Sequence, residues 1–172
     1  MMLGSRAAGA GAVDTRIIAE QPATETVMAE TVEWRTHGVK VVRGKAIRRA
    51  MLGASAHGRA TVFDFSGGGD GRTWIGAVSL TPGAKTGAHH HGRHEVAVYV
   101  VGGRGQIRWG ARLEFVTDID SGDYIYFAPY VPHQESNTAD RALDFVVVRS
   151  DGERIAIDLD IEAVEHPQRV EY

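Results

Sequence analysis

The 172-residue sequence contains no cysteine, which removes disulfide staples, thiolate metal sites and cysteine nucleophiles together. It has no uncharged apolar run of the roughly 18 residues that a membrane helix needs. Neither sign of charge dominates: 19 basic and 22 acidic residues leave a formal net charge of −3, so there is no broad positive field for nucleic acid or anionic lipid. The one basic cluster, Lys40 to Arg49, is short, and no helix-turn-helix pattern accompanies it. Met1 to Val13 is too weakly apolar for a secretory core. These absences lead to the expectation of a soluble, cytoplasmic protein with neither nucleic acid nor membrane as partner. The length suits one globular domain.

What is present is glycine, 21 residues of it against 5 prolines, which favours many tight turns over long helices. The first 25 or so residues show no clear period and read as an extended arm or a loose leader. Thr31 to Val42 is β-rich, and Gly44 to Gly53 carries Ile47, Ala50, Met51 and Ala54 at helical spacing, with Lys45, Arg48 and Arg49 on a solvated face. From residue 60 the pattern predicts short strands between turn signals: Ala60 to Phe65, Trp74 to Leu80, Glu95 to Val101, Gly105 to Trp109, Leu113 to Val116, Tyr124 to Phe127, Phe145 to Arg149 and Ile155 to Leu159. The glycine run from Ser66 to Gly71 lacks the Gly-Lys-Ser/Thr ending of a phosphate loop and reads as a hairpin loop. The fold class is therefore all-β, a sandwich or barrel.

Eight histidines occur, and four of them, His89, His90, His91 and His94, fall within six positions, followed directly by Glu95. Three readings compete: a solvated polar loop, a structural hydrogen-bonding cluster, and a metal site. Alternate residues of a strand share a face, so His89 and His91 point one way and His90 the other. Two imidazoles and a nearby carboxylate form a sensible N/O donor set for a transition metal. His37, His57 and His166 are isolated.

The spacing Gly83-x5-His89-x-His91-x3-Glu95-x6-Gly102 resembles the first motif of the cupin superfamily at every position, and Gly122, Asp123, Pro129, His133 and Asn137 resemble the second. Ala128 stands where the second motif has a proline and Tyr130 where it has an inner glycine. The resemblance covers roughly residues 60 to 150. It implies a small single-domain metal-binding cupin: one RmlC-like jelly-roll barrel (double-stranded β-helix) over 56–160, an N-terminal extension over 1–55 that is partly β or short helix, and a C-terminal tail over 161–172. It also implies that His89, His91, Glu95 and His133 bind one divalent transition metal per chain: Fe, Mn, Ni, Co, Cu or Zn. These ligands would leave positions open for substrate, water or dioxygen.

The functional expectation is a metal-dependent enzyme for a small chelating, oxygen-rich substrate, of dioxygenase type. Glu95 is a ligand or a proton acceptor, and Tyr99, on the same strand parity as Glu95, is a second catalytic candidate facing the interior. A non-oxidative isomerase or lyase and a non-catalytic small-molecule-binding cupin are the alternatives. The expected partners are a small-molecule ligand and a second copy of the chain, as a homodimer. Val78, Tyr99, Ile107, Phe127 and Phe145 are the expected apolar lining. Trp109 and Tyr126 read as core, Asn137 as a turn residue capping a strand end, and Gln106, Arg108 and Arg149 as solvent-facing, with anion contacts as the other possibility.

Overall fold

A computed structural model of the chain describes residues 41–51, 57–64, 73–150 and 156–172. The expectations for the N-terminal arm, Thr31 to Lys40 and the glycine run lie outside them. Helix α1, Gly44–Met51, follows three described residues of non-helical chain. Its basic residues are exposed, as the solvated-face reading has it. Met51 reaches strand β1, His57–Asp64, where a Cβ added at Gly58 would come within 3.0 Å of it.

Ten further strands follow: β2 Trp74–Leu80, β3 His89–His90, β4 Val96–Gly102, β5 Arg104–Trp109, β6 Phe115–Asp120, β7 Tyr124–Phe127, β8 His133–Asn137, β9 Leu143–Arg149, β10 Ile157–Asp158 and β11 Gln168–Arg169. They form a five-stranded sheet in the order β1-β2-β9-β4-β7 and a six-stranded sheet in the order β10-β3-β8-β5-β6-β11. Within the five-stranded sheet every pairing is antiparallel, while β11 runs parallel to β6. The all-β expectation holds. The closed barrel does not form among the described residues, because the two sheets keep separate edges, and the architecture is a double-sheet jelly roll.

Period-two alternation builds the core between the sheets. Val96, Val98 and Val100 of β4 are buried and alternate with exposed Glu95, Ala97, Tyr99 and Val101. Leu80, Ile107, Ile119, Phe127, Leu143 and Phe145 complete the cluster, each contributing roughly 1.5–3 kcal/mol by leaving water. The strand expected over Leu113 to Val116 begins later. Leu113 sits in a turn with φ 51 and 1% exposure, its amide bonded to the Gly110 carbonyl at 3.1 Å. The C-terminal segment lies against β6: the Gln168 amide donates to the Glu114 carbonyl at 2.7 Å and Arg169 pairs with Asp118 at 2.6 Å.

Candidate metal centre

The site is built on two neighbouring strands of the six-stranded sheet. His89 of β3 and His133 of β8 are direct cross-strand partners, and His91 follows two residues after His89. The three side chains each offer a nitrogen, and these atoms all lie within 4.8 Å of one another, about the spread that a single ion can draw together. Ring centroids are 4.4 Å apart for His89 and His133, and 5.0 Å for His91 with either.

Backbone carbonyls orient two of the rings. His89 Nδ1 lies 2.9 Å from the Gly87 oxygen and His133 Nδ1 2.8 Å from the Val131 oxygen. A carbonyl only accepts, so each Nδ1 carries the proton and each Nε2 keeps its lone pair, the form a metal needs. His133 is fully buried, and its Nε2 has no hydrogen-bond partner. Burial lowers the pKa of His133, with Glu135 opposing and His89 assisting. An orphaned buried imidazole lone pair facing two other imidazoles fits a metal better than it fits an apolar core.

Glu95 is not brought to these histidines. It is exposed, and its carboxylate accepts a 2.7 Å hydrogen bond from the Tyr126 hydroxyl on the outer face, which holds the tyrosine pKa above its ordinary value. Tyr99 shares that outer face, 36% exposed, its ring 4.8 Å from Tyr124. Parity alone says that Glu95 and Tyr99 go together. The face is decided by the alternating valines Val96, Val98 and Val100, which bury in preference to a carboxylate and a phenol. A tight turn sets the phase, with Gly92 at φ 58 and the His94 amide bonded to the His91 carbonyl at 3.1 Å. His94 is buried, 5% exposed. His90 stands apart from the three: its Nδ1 accepts the Gly92 amide at 2.8 Å.

The carboxylate that does stand beside the histidines is Glu135. Its Oε1 lies 3.9 Å from His133 Nε2 and its side chain is 14% exposed. The Thr86 hydroxyl donates to its Oε2 at 2.7 Å, and the Glu135 amide donates back to Thr86 Oγ1 at 3.0 Å. Burial alone would raise the Glu135 carboxyl; His133, His89 and the Thr86 hydroxyl outweigh it and hold it below the ordinary carboxylate range. His133 and Glu135 are two apart on β8, so the parity rule that pairs His89 with His91 also finds Glu135. The polar segment His133–Asn137 hides its strand character.

The turn that delivers His133 keeps its shape without the motif glycine. Tyr130 takes φ 61 itself and donates its amide to the Gly92 carbonyl at 2.7 Å. Asn137 is structural: its Nδ2 donates to the carbonyls of Leu80 and Arg141 and its Oδ1 accepts the Ala139 amide. Gln106 donates to Asp118, and Arg108 to the carbonyls of Leu113 and Val164. His57 meets the Lys85 carbonyl, and His166 is exposed.

His89, His91 and Glu135 line a cavity of about 370 Å³ between the sheets. Val78, Val96, Val98, Phe145 and Val147 give its apolar wall. Ile107 and Phe127 lie in the packed core instead. Among the described residues no helix is long and apolar enough to cross a membrane.

The chain is thus a small double-sheet jelly roll in which three imidazoles converge at one end of the six-stranded sheet, a group able to hold a metal ion. Residues 76–149 match the cupin domain family, and this part of the chain has the cupin fold. No curated protein matches the sequence. Among solved structures, a double-stranded β-helix protein from Klebsiella pneumoniae is similar at 17% identity and TM-score 0.55, over 66% of this chain and 95% of that one. The polyketide cyclase RemF from Streptomyces resistomycificus is similar at 20% identity and TM-score 0.53, over 67% and 78%. Bacillus subtilis oxalate decarboxylase, described with Mn(II) centres, is similar at 17% identity and TM-score 0.55, over 65% of this chain and 30% of that one.

Proposed function

We propose that the chain is a metal-dependent enzyme acting on a small chelating, oxygen-rich substrate, of dioxygenase type. The observation that carries this reading is the buried, unpartnered Nε2 of His133 facing His89 and His91. Three neutral nitrogen donors with no carboxylate among them leave about three positions of an octahedron, room for a bidentate substrate and dioxygen together. A divalent metal held there supplies Lewis-acid polarisation of the substrate oxygens and, if it is iron, electrons for dioxygen. His89, His91 and His133 hold it. Val96, Val98 and Phe145 exclude water from the side of the cavity opposite the histidines.

A second, non-oxidative reading, a lyase or isomerase, is favoured by Glu135, a carboxylate in the cavity wall beside the histidines, placed to accept a substrate proton. The similarity to a decarboxylase and a cyclase is compatible with it. A non-catalytic binder is the remaining reading. The test is oxygen uptake by iron-loaded and zinc-loaded protein against a panel of diketones, hydroxyacids and catechols. Uptake with iron alone supports the dioxygenase; equal turnover with both metals under nitrogen replaces it with the lyase or isomerase; binding without turnover by any metal form leaves the sensor.

The setting we propose is a cytoplasmic homodimer. Exposed Tyr99, Val101 and Tyr124 on neighbouring strands support a second copy as the partner, and sedimentation checks it.

A further inference from the structure

Arg149 ends β9 on the inner face of the five-stranded sheet, in one row with its cross-strand partners Trp74 and Val96. It is only 9% exposed and lines the cavity that holds His89, His91 and Glu135. Its guanidinium carbon lies 4.1 Å from the Trp74 ring centroid, which holds the planar group against an aromatic face. The indole in turn occupies the space over Gly76, where any Cβ would collide with it. Arg59, on the edge strand β1, lines the same cavity. The histidines stand on the other sheet, so the cavity has imidazoles on one wall and two guanidinium groups on the opposite one.

We propose that Arg149, positioned by Trp74 and assisted by Arg59, binds a carboxylate of the substrate at the end remote from the histidines. The substrate class is thereby narrowed to small molecules with a carboxylate at one end and chelating oxygens at the other. A guanidinium offers two parallel N–H donors to a carboxylate, and for a group as little exposed as Arg149 such a pair discriminates against an uncharged isostere. The proposal rests on the reading of this cavity as the reactive site, but the arginines' role does not require the metal.

The test is therefore made on metal-stripped protein, titrated with succinate and with uncharged succinamide while the indole signal of Trp74 is followed by NMR. Succinate should bind on the order of tenfold tighter than succinamide, and Arg149→Gln should erase that preference while leaving succinamide binding as it was. Absence of the preference in the wild-type chain, or its survival in Arg149→Gln, overturns the proposal. Should Arg149→Gln not fold, Arg59→Gln on the exposed edge carries the test: about threefold weaker succinate binding is expected, and unchanged binding overturns the two-arginine site. Metal uptake is measured separately. A chain that shows the preference but binds no metal refutes the proposed enzyme and leaves the subsite standing; metal uptake without the preference does the reverse.

Discussion

The imidazole of His133 lies flat on the ring of Phe127, centroids 3.8 Å apart and planes 12° from parallel. With Nδ1 tied to the Val131 carbonyl, the stack leaves the ring little freedom, and Nε2 points where the other imidazoles converge. Phe127→Leu removes the flat support while keeping an apolar core. We expect metal affinity to fall about tenfold, as for other changes behind a ligand, with the fold retained; a competition titration against a chromophoric chelator measures it.

Ligand variants separate the sequence motif from the geometry. His91→Ala or His133→Ala should lose bound metal in elemental analysis and still melt cooperatively, because the apolar core does not run through the metal. Glu95→Gln should keep full occupancy, since its partner is Tyr126 on the outer face. His90→Ala should also keep it, losing only the turn contact to the Gly92 amide. Metal loss in Glu95→Gln would mean that β4 sits one residue out of this register.

Tyr130 carries backbone strain that glycine would not. Its φ of 61 lies in the left-handed region, and its side chain is 63% exposed. Left-handed backbone costs a residue with a Cβ about 1–2 kcal/mol, partly offset here by the ring contact with His90 at 5.9 Å. Tyr130→Gly should gain about 1 kcal/mol net, a Tm rise of roughly 3 °C in calorimetry, with metal content unchanged.

The C-terminal segment carries a pH dependence of known sign. The Arg169 guanidinium, then the Gln106 amide, hold the Asp118 carboxyl below its ordinary value. The charged carboxylate therefore stabilises the docked segment at every pH above the ordinary aspartate range, and that contribution is lost as pH falls through the lowered pKa. Below about pH 4 the protection factor of the Val170 amide, bonded to the Val116 carbonyl, should fall before those of β5. Arg169→Gln should shift the onset of that loss to higher pH.

How much of this was legible in the residues follows from what periodicity records. Alternation located most of the strands and the hydrophobic cluster, and motif spacing located His89, His91 and His133. Alternation fixes which residues share a face but not which face is inward. Glu95 and Tyr99 were correctly grouped and assigned to the wrong side, because the decision belongs to Val96, Val98 and Val100 packing across to the other sheet. Glu135 was missed since a strand reading His-Gln-Glu-Ser-Asn has no apolar period; its inward positions are spent on the site. Arg149 read as a solvent-facing strand end because its burial arises from Trp74, 75 positions away in sequence and paired only across the sheet.

Strand β3 is two residues long and is held on one side by β8 and on the other by β10, near the C-terminus: His89 faces Asp158 and His90 faces Ile157. Such a short pairing has far fewer hydrogen bonds to break than the long ladders of the five-stranded sheet. Its opening is a local unfolding event, well below the cost of melting the domain. Release of β10 would leave His89 paired on one side only, to His133 of β8, which stays in place, fully buried in its own strand. Exchange of a bound ion would then proceed through the fraying of this one corner, at a rate set by the release of β10 and nearly independent of global stability.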